Sequence, residues 1–507
     1  MNRCHCIIIL PYFIAAALGV YAQAAEGNAT ADSELNAPQS LSIEAAVLLG
    51  LKNNQELHFE QAKPIIAGAF EQIERGVYDP ELFASLGYGE ESSQETARAT
   101  GGQFAVDARD TTAEVGIRQK LPTGTELEAS LSLDRRISNR APEQQQLRYG
   151  LTVTQQLLRG LGPAVNLASI RQAALDTEAS EYELRGYTEA FVAEIETSYW
   201  RYVASLESIR VFEKSLRVSE ARLSEVDSRI EVGALSELGA AAARAEHSER
   251  QQDLINAQSE MKRLRYNLIR MIYPKMPILR FEDFEAVSRP QPRELDVALP
   301  DAGERISVAL RSRPELKEAQ LRVERDELET VLTRNGRLPR LELFINLGKS
   351  GFADTFRDSY RDSDGPSYDF TVGLEFSQAL GRRAQRARDE IARTTLQQSQ
   401  DALGNLRELI RFDVLTALNE LDRAQQQTQA SVVTREFRAQ TLQAESDRFD
   451  LGSSTALNLA IAQRDYIESQ IAVIDAYVDY QIARIELYRA EGSLLDRRGL
   501  SVEGRTR

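Results

Sequence analysis

A chain of 507 residues with a formal net charge of −16 can form two or three ordinary domains or one elongated body. That acidity excludes nucleic acid or anionic lipid as the principal partner. The chain has three histidines, and its two cysteines, Cys4 and Cys6, lie at the extreme N-terminus, so there is little material for a metal centre, disulfide or thiol nucleophile.

The first segment reads Met1-Asn-Arg, then an apolar run from Cys4 to about Val20, then Ala22-Gln23-Ala24. This order of charged, apolar and small residues predicts a signal peptide over 1–24, cleaved after Ala24. Ala25 stands where a lipoprotein needs cysteine, so no lipid anchor is expected. No later stretch of about 18 apolar residues predicts a membrane helix. Without one, a membrane-embedded form has to be a closed β-barrel, which satisfies every backbone group.

After an opening helix, period-two alternation begins at Leu82, Ala84, Leu86 and Tyr88. Val115, Ile117 and Gln119, a turn at Pro122-Thr-Gly124-Thr, and Leu127, Ala129, Leu131 and Leu133 form a further hairpin over about 113–134. It either joins the sheet or packs outside it. Tyr149, Leu151 and Val153 then lead into Gln155-Gln-Leu-Leu-Arg159-Gly160. A very long helix is predicted over about 163–232, then a tip, then a helix over about 235–272. In the last of these, Leu254, Ala257, Met261, Leu264, Leu268 and Met271 form a coiled-coil seam.

The chain then repeats itself. At an offset of 219 residues Gly162 falls on Gly381, Arg229 on Arg448, Gly233 on Gly452 and Leu268 on Leu487. An earlier correspondence, at an offset of 259, places Asn53-Asn54-Gln55-Glu56-Leu57 on Ser312-Arg313-Pro314-Glu315-Leu316. The first copy therefore carries about 40 extra residues between the two correspondences. The first repeat is assigned to 25–273 with strands at about 82–157, and a proline-rich connector to 274–303. The second repeat, 304–494, has strands at about 341–378, a long helix at about 382–451 and a helix at about 455–492. Residues 495–507 read as a flexible tail. A helix of about 70 residues spans on the order of 100 Å, which suits a reach across a compartment. Four strands cannot close a conducting barrel, so several chains must share one sheet in a cyclic homo-oligomer.

With these features in place, the chain resembles the TolC-type outer membrane efflux proteins over essentially its whole mature length. The resemblance rests on Leu-Ser-Ile-Glu-Ala-Ala near residue 41, Asn53-Asn54-Gln55-Glu56-Leu57, Gln155-Gln-Leu-Leu-Arg-Gly, Arg229-x-x-x-Gly233, Arg448-x-x-x-Gly452 and Ala462-Gln463. It implies an α+β membrane protein: a trimeric outer-membrane β-barrel continued by a long periplasmic α-helical coiled-coil barrel, built from two internal repeats per chain. It implies a homotrimer in outer-membrane lipid of a Gram-negative-type envelope, docked to a periplasmic adaptor and through it to an inner-membrane pump. Small-molecule efflux is the leading reading. A type I protein secretion duct and a structural coiled-coil envelope protein are the alternatives.

Gly233 and Gly452 each end a long helix, where a positive φ is often required. Arg229 and Arg448, one turn earlier, are placed to bond the free carbonyls at the negative end of the dipole. In similar proteins such tips meet the adaptor, which makes Arg229, Gly233, Ala234, Ser236, Arg448, Gly452, Ser454 and Thr455 candidate docking residues. Related channels commonly carry an aspartate six residues beyond each tip glycine, at the periplasmic aperture. Here Gly239 and Asn458 hold those places, with Glu231, Glu237 and Asp450 nearby. His58 and His247 lack ligand spacing, and Trp200 reads as packing. No catalytic motif, cofactor site or metal site is expected.

Overall fold

The computed structural model describes residues 40–501 apart from 97–100, 141, 234–236, 275–284 and 290–299. The expected signal peptide, most of the connector, residues 502–507, and Ala234 and Ser236 of the first tip lie outside the described residues. The first half runs β1 (Ser40–Leu41), α1 (Ile43–Asn53), α2 (Gln55–Gly76), β2 (Glu81–Thr96), β3 (Gln103–Lys120), β4 (Thr125–Ser138), β5 (Gln144–Gln156), α3 (Pro163–Asn166), α4 (Ala168–Glu231) and α5 (Glu237–Ile272). The second runs β6 (Glu285–Ala286), α6 (Ala302–Ser312), α7 (Pro314–Gly336), β7 (Arg340–Ala353), α8 (Phe356–Asp362), β8 (Tyr368–Ser377), α9 (Arg383–Asp450), α10 (Ala456–Ala490) and α11 (Leu494–Arg497).

Each half opens with two helices, where the sequence predicted one. At Asn54 the backbone turns extended (φ −67°, ψ 126°), and the Asn54 side chain accepts the Leu57 N–H at 2.9 Å to start α2. Arg313 takes nearly the same angles (φ −59°, ψ 120°), and Pro314 opens α7 at the one position where its missing N–H costs nothing. The paired motifs that reveal the internal correspondence are thus two solutions to one helix break.

β2, β3, β4, β5, β7 and β8 form one six-stranded sheet in that order, every neighbouring pair antiparallel. The hairpin of uncertain placement is therefore part of this sheet, as β3 and β4. Its register puts apolar residues in continuous rows on one face: Leu82, Ile117, Ala129, Leu151, Leu347 and Phe370 align across all six strands. The opposite face carries rows such as Ser85, Glu114, Ser132, Arg148 and Ser350. On that face Arg148 reaches over Gly348 to donate two hydrogen bonds to Asp369, at 2.8 and 3.1 Å.

At the lower edge of the sheet, the Asn166 amide donates to Pro122 O at 3.0 Å and Gly160 O at 2.8 Å. Gly162 N–H donates to Thr123 O at 3.1 Å. These bonds lock the β3–β4 turn onto the start of the helices, and the helix predicted as continuous from residue 163 is interrupted there at Leu167. Beyond the break, α4 has 64 residues and α9 has 68, each about 100 Å long at 1.5 Å per residue.

The largest core cluster gathers α1, α4, α5, α10 and α11 around Ile195, Tyr199, Tyr202, Leu268, Ile269, Ile272 and Ile485. Tyr199 ties this cluster to the segments that hold β1 and β6. Its hydroxyl donates to Leu41 O at 2.8 Å and accepts from Ser288 N–H at 3.0 Å. Trp200 is buried with its ring edge-on to Tyr199, 5.9 Å between centroids, so it is a packing residue.

The chain end corrects an expectation. Residues from 495 onward, read as a flexible tail, begin instead with a helical turn in which Leu494 and Leu495 are fully buried in that core. Two buried carboxylates of α4 hold it: Glu189 accepts the Leu494 N–H at 2.7 Å, and Glu196 pairs with Arg498 through bonds of 2.6 and 2.7 Å. Burial pushes the Glu189 carboxyl up from 4.5 to about 7, against the opposing effect of the Leu494 N–H. Because the folded pKa exceeds the unfolded one, the native state binds the proton more tightly. Stability therefore falls as pH rises through the window from 4.5 to about 7, by on the order of 3 kcal/mol. Glu189→Gln keeps the acceptor and removes the ionisation. The variant is expected to melt several degrees higher than the parent at pH 8 and at nearly the same temperature at pH 5, followed by circular dichroism in detergent.

Candidate functional site: the helical tips

The second tip is fully described and its geometry follows from its residues. At the end of α9 the Ser453 N–H donates to Arg448 O at 2.8 Å and the Gly452 N–H to Phe449 O at 2.9 Å. This is a Schellman closure, which demands a left-handed residue, and Gly452 supplies φ 72°. Thr455 then caps α10, its hydroxyl accepting the Asn458 N–H at 3.3 Å. At the first tip Gly233 has φ 73° and donates to Ile230 O at 2.9 Å. Neither glycine has another group within 4 Å of an added Cβ, so the need for glycine is conformational. Gly452→Val is expected to cost about 1–2 kcal/mol through strain alone. Hydrogen exchange should show faster opening of residues 445–460 with the core helices unchanged.

The two tip arginines do not cap carbonyls as expected. Arg229 pairs with Glu225 at 2.5 Å and Arg448 with Glu445 at 3.4 Å, each on its own helix. A carboxylate one turn back is nearer and carries a full charge, and the Schellman bonds already occupy the Arg448 and Phe449 carbonyls. Glu445 also accepts from the Ser454 hydroxyl, bracing the turn. Of the expected aperture positions, Gly239 lies in the first turn of α5 and Asn458 is exposed in the first turn of α10. Glu231 and Asp450 are exposed, and Glu237 is the first residue of α5.

The hairpins are cross-braced above the tips. Arg244 pairs with Asp227 at 3.5 Å between α4 and α5, and Arg438 with Asp465 at 2.7 Å between α9 and α10. The Arg222 guanidinium sits 5.2 Å from the Phe449 ring centre, joining one hairpin to the other.

Sequence reasoning missed two residues here. Val232 and Leu451, each immediately before a tip glycine, are 79% and 83% exposed. The signal was available, since both are apolar residues in otherwise polar tips, at matching places in the two halves. His58, exposed on α2, contacts Gln61 and the Lys52 carbonyl, and His247 lies 3.4 Å from Ser219. Among the described residues no group of three or more His, Cys, Asp or Glu could hold a metal ion, and no helix is long and apolar enough to cross a membrane.

Comparison with known proteins agrees with this architecture. Residues 305–493 match the family described as outer membrane efflux protein. The chain is 23% identical over 335 residues to the pyoverdine export outer membrane protein OpmQ of Pseudomonas putida, covering 64% of this chain and 67% of that one. Its fold is similar to that of a membrane protein from Pseudomonas aeruginosa, with TM-score 0.66, 20% identity and coverage of 89% and 93% of the two chains. It is also similar to the Campylobacter jejuni CmeC outer membrane channel, with TM-score 0.66, 14% identity and coverage of 91% and 90%. The match to that family thus lies in the second half of the chain, and the fold of the chain as a whole is similar to that of outer-membrane channels.

Proposed function

We propose that the protein is the passive exit duct of a tripartite export system that expels small toxic molecules. The observation that carries this reading is the union of two parts in one chain: a sheet with one apolar and one polar face, and two helices, α4 and α9, each about 100 Å long and each ending in an equivalent turn. The sheet's apolar face meets lipid and its polar face lines the passage. Among the described residues the sheet does not close within one chain, because β2 and β8 are its two edges, so copies complete the barrel. Three copies form the duct. The helices cross the periplasm, and the tips receive an adaptor that couples the duct to an inner-membrane pump. Val232, Gly233, Leu451, Gly452, Ser454 and Thr455 form the docking surface, with Ala234 and Ser236 completing the first tip. Gly239 and Asn458 lie at the aperture, which therefore lacks a carboxylate ring at that level, and the inter-hairpin Arg222–Phe449 contact helps hold the mouth.

The test is crosslinking in living cells, capture of the solubilised protein and mass spectrometry of what accompanies it. An adaptor with a proton-driven pump supports small-molecule efflux, whereas an adaptor with a dedicated ATP-driven exporter of one polypeptide would favour a secretion duct. Recovery of a monomer outside the outer membrane would sink the reading.

A further inference from the structure

The repeat correspondence leaves about 40 residues of the first half unmatched, and the sheet shows what they form. The second half contributes one up-and-down pair, β7 and β8, and the first half contributes two, β2–β3 and β4–β5. We propose that every copy contributes all six strands to one shared wall, so that the three-fold assembly closes an eighteen-stranded barrel with the β3–β4 hairpin facing lipid. This rests on the duct reading only for the number of copies.

Four observations carry the inference. First, β3 and β4 sit in the middle of the sheet, with β3 paired along β2 from Gln103 to Arg118 and β4 paired along β5 from Thr125 to Arg136. They cannot leave the wall as a plug or outer flap without breaking both ladders, which leaves unpaired backbone groups. Second, the apolar row from Leu82 to Phe370 passes through Ile117 and Ala129 without interruption. The hairpin therefore turns the same kind of face the same way, at the same height, as the strands on either side. Third, its turn is fixed at the sheet–helix junction by Asn166 and by the Thr123 carbonyl, which sets the depth of the hairpin. Fourth, the number of strands per copy is even. Since β2 and β8 run in opposite directions, β8 of one copy can pair antiparallel with β2 of the next around a cyclic ring, with the alternation unbroken. Both edges carry exposed apolar residues near the helical end, Leu82 and Leu86 on β2 and Leu374 and Phe376 on β8.

At equal tilt the perimeter grows with strand number, so the wall is about one and a half times as long as four strands per copy would give. The outer passage is then wider than one pair per half allows, and it admits bulkier cargo at the outer end.

The direct test is electron cryo-microscopy of the full-length protein in lipid nanodiscs. Eighteen strands around a trimer is the expected result, and a trimer with twelve, the hairpin lying in the lumen or outside, overturns the proposal. A ring of another number of copies that still has six strands each would remove the trimer and leave the six-strand wall standing. A second measurement uses Leu131→Cys carrying an environment-sensitive fluorophore in vesicles containing brominated lipid. Several-fold quenching is expected from a lipid-facing β4, and quenching no greater than that of a label at the lumen-side Ser132 overturns the proposal. Removing 102–142 joins β2 to β5, which already run antiparallel, and is expected to shorten the barrel perimeter by about a third. The intact-chain quenching decides the matter if that variant does not assemble.

Discussion

Replacing Arg498 with methionine is expected to destabilise the protein by about 3 kcal/mol or more, because it strands a charge in the core. The Glu196 side chain is 1% exposed, and Arg498 supplies its paired donors, at 2.6 and 2.7 Å. Arg498 is itself 30% exposed, which places the expected loss at the lower end of the range for broken buried pairs. The pairing of Arg498→Met with Glu196→Gln, which removes both charges, should recover most of the loss. Denaturant unfolding of the detergent-solubilised protein measures both variants. A single-variant loss below about 1 kcal/mol would mean that water already solvates Glu196.

The second large effect is expected at the tips. Val232→Asp combined with Leu451→Asp should abolish export while leaving the amount and oligomeric state of the outer-membrane protein unchanged. Val232 and Leu451 are solvent-exposed in the free chain, so the fold loses little when they change. If an adaptor buries them, each contributes about 1.5–3 kcal/mol of apolar transfer energy, and losing both weakens docking by about a hundredfold or more. Titration of the purified adaptor reads the affinity, and the growth of cells under a toxic substrate reads the export. Unchanged affinity would move the docking surface elsewhere on the hairpins.

What the sequence made legible follows from what each feature depends on. Tip glycines are visible because a left-handed residue at a helix end is a local demand, and the chain meets it twice, at Gly233 and Gly452. Period-two strands are visible where one side is apolar, as at Val115–Gln119 and Leu127–Leu133. The strands themselves run on to Gln103 and Ser138; there the apolar residues of β3 (Phe104, Val106, Ala108) change to the other face, and Asp134, Arg135 and Arg136 end the pattern on β4, so the alternation does not continue in phase. That is why the hairpin appeared shorter than it is. Its membership of the sheet was not legible, because pairing with β2 and β5 is a relation between distant segments.

The departures at the tip arginines and at the C-terminal turn have different causes. The arginines at 229 and 448 were assigned to carbonyls on the general rule for helix ends, but Glu225 and Glu445 lie one turn away and compete better. The chain end was read as loose because four residues make too short a helix to stand on local propensity. It is held by Glu189 and Glu196, some 300 residues earlier in the chain, and no window of sequence contains that information.

That last contact bears on when the protein can fold. Leu41 and Ile43, near the start of the described chain, share one cluster with Ile485, Leu494 and Leu495 near its end. Closing a loop of roughly 450 residues must precede the reward for burying them, which makes the central core a late event. The long helices and the junction of Asn166 with the β3–β4 turn can form early from nearby contacts, but the central cluster waits for Leu494 and Leu495. Until those two leucines arrive, the cluster that joins α1, α4, α5 and α10 lacks the side chains that close it.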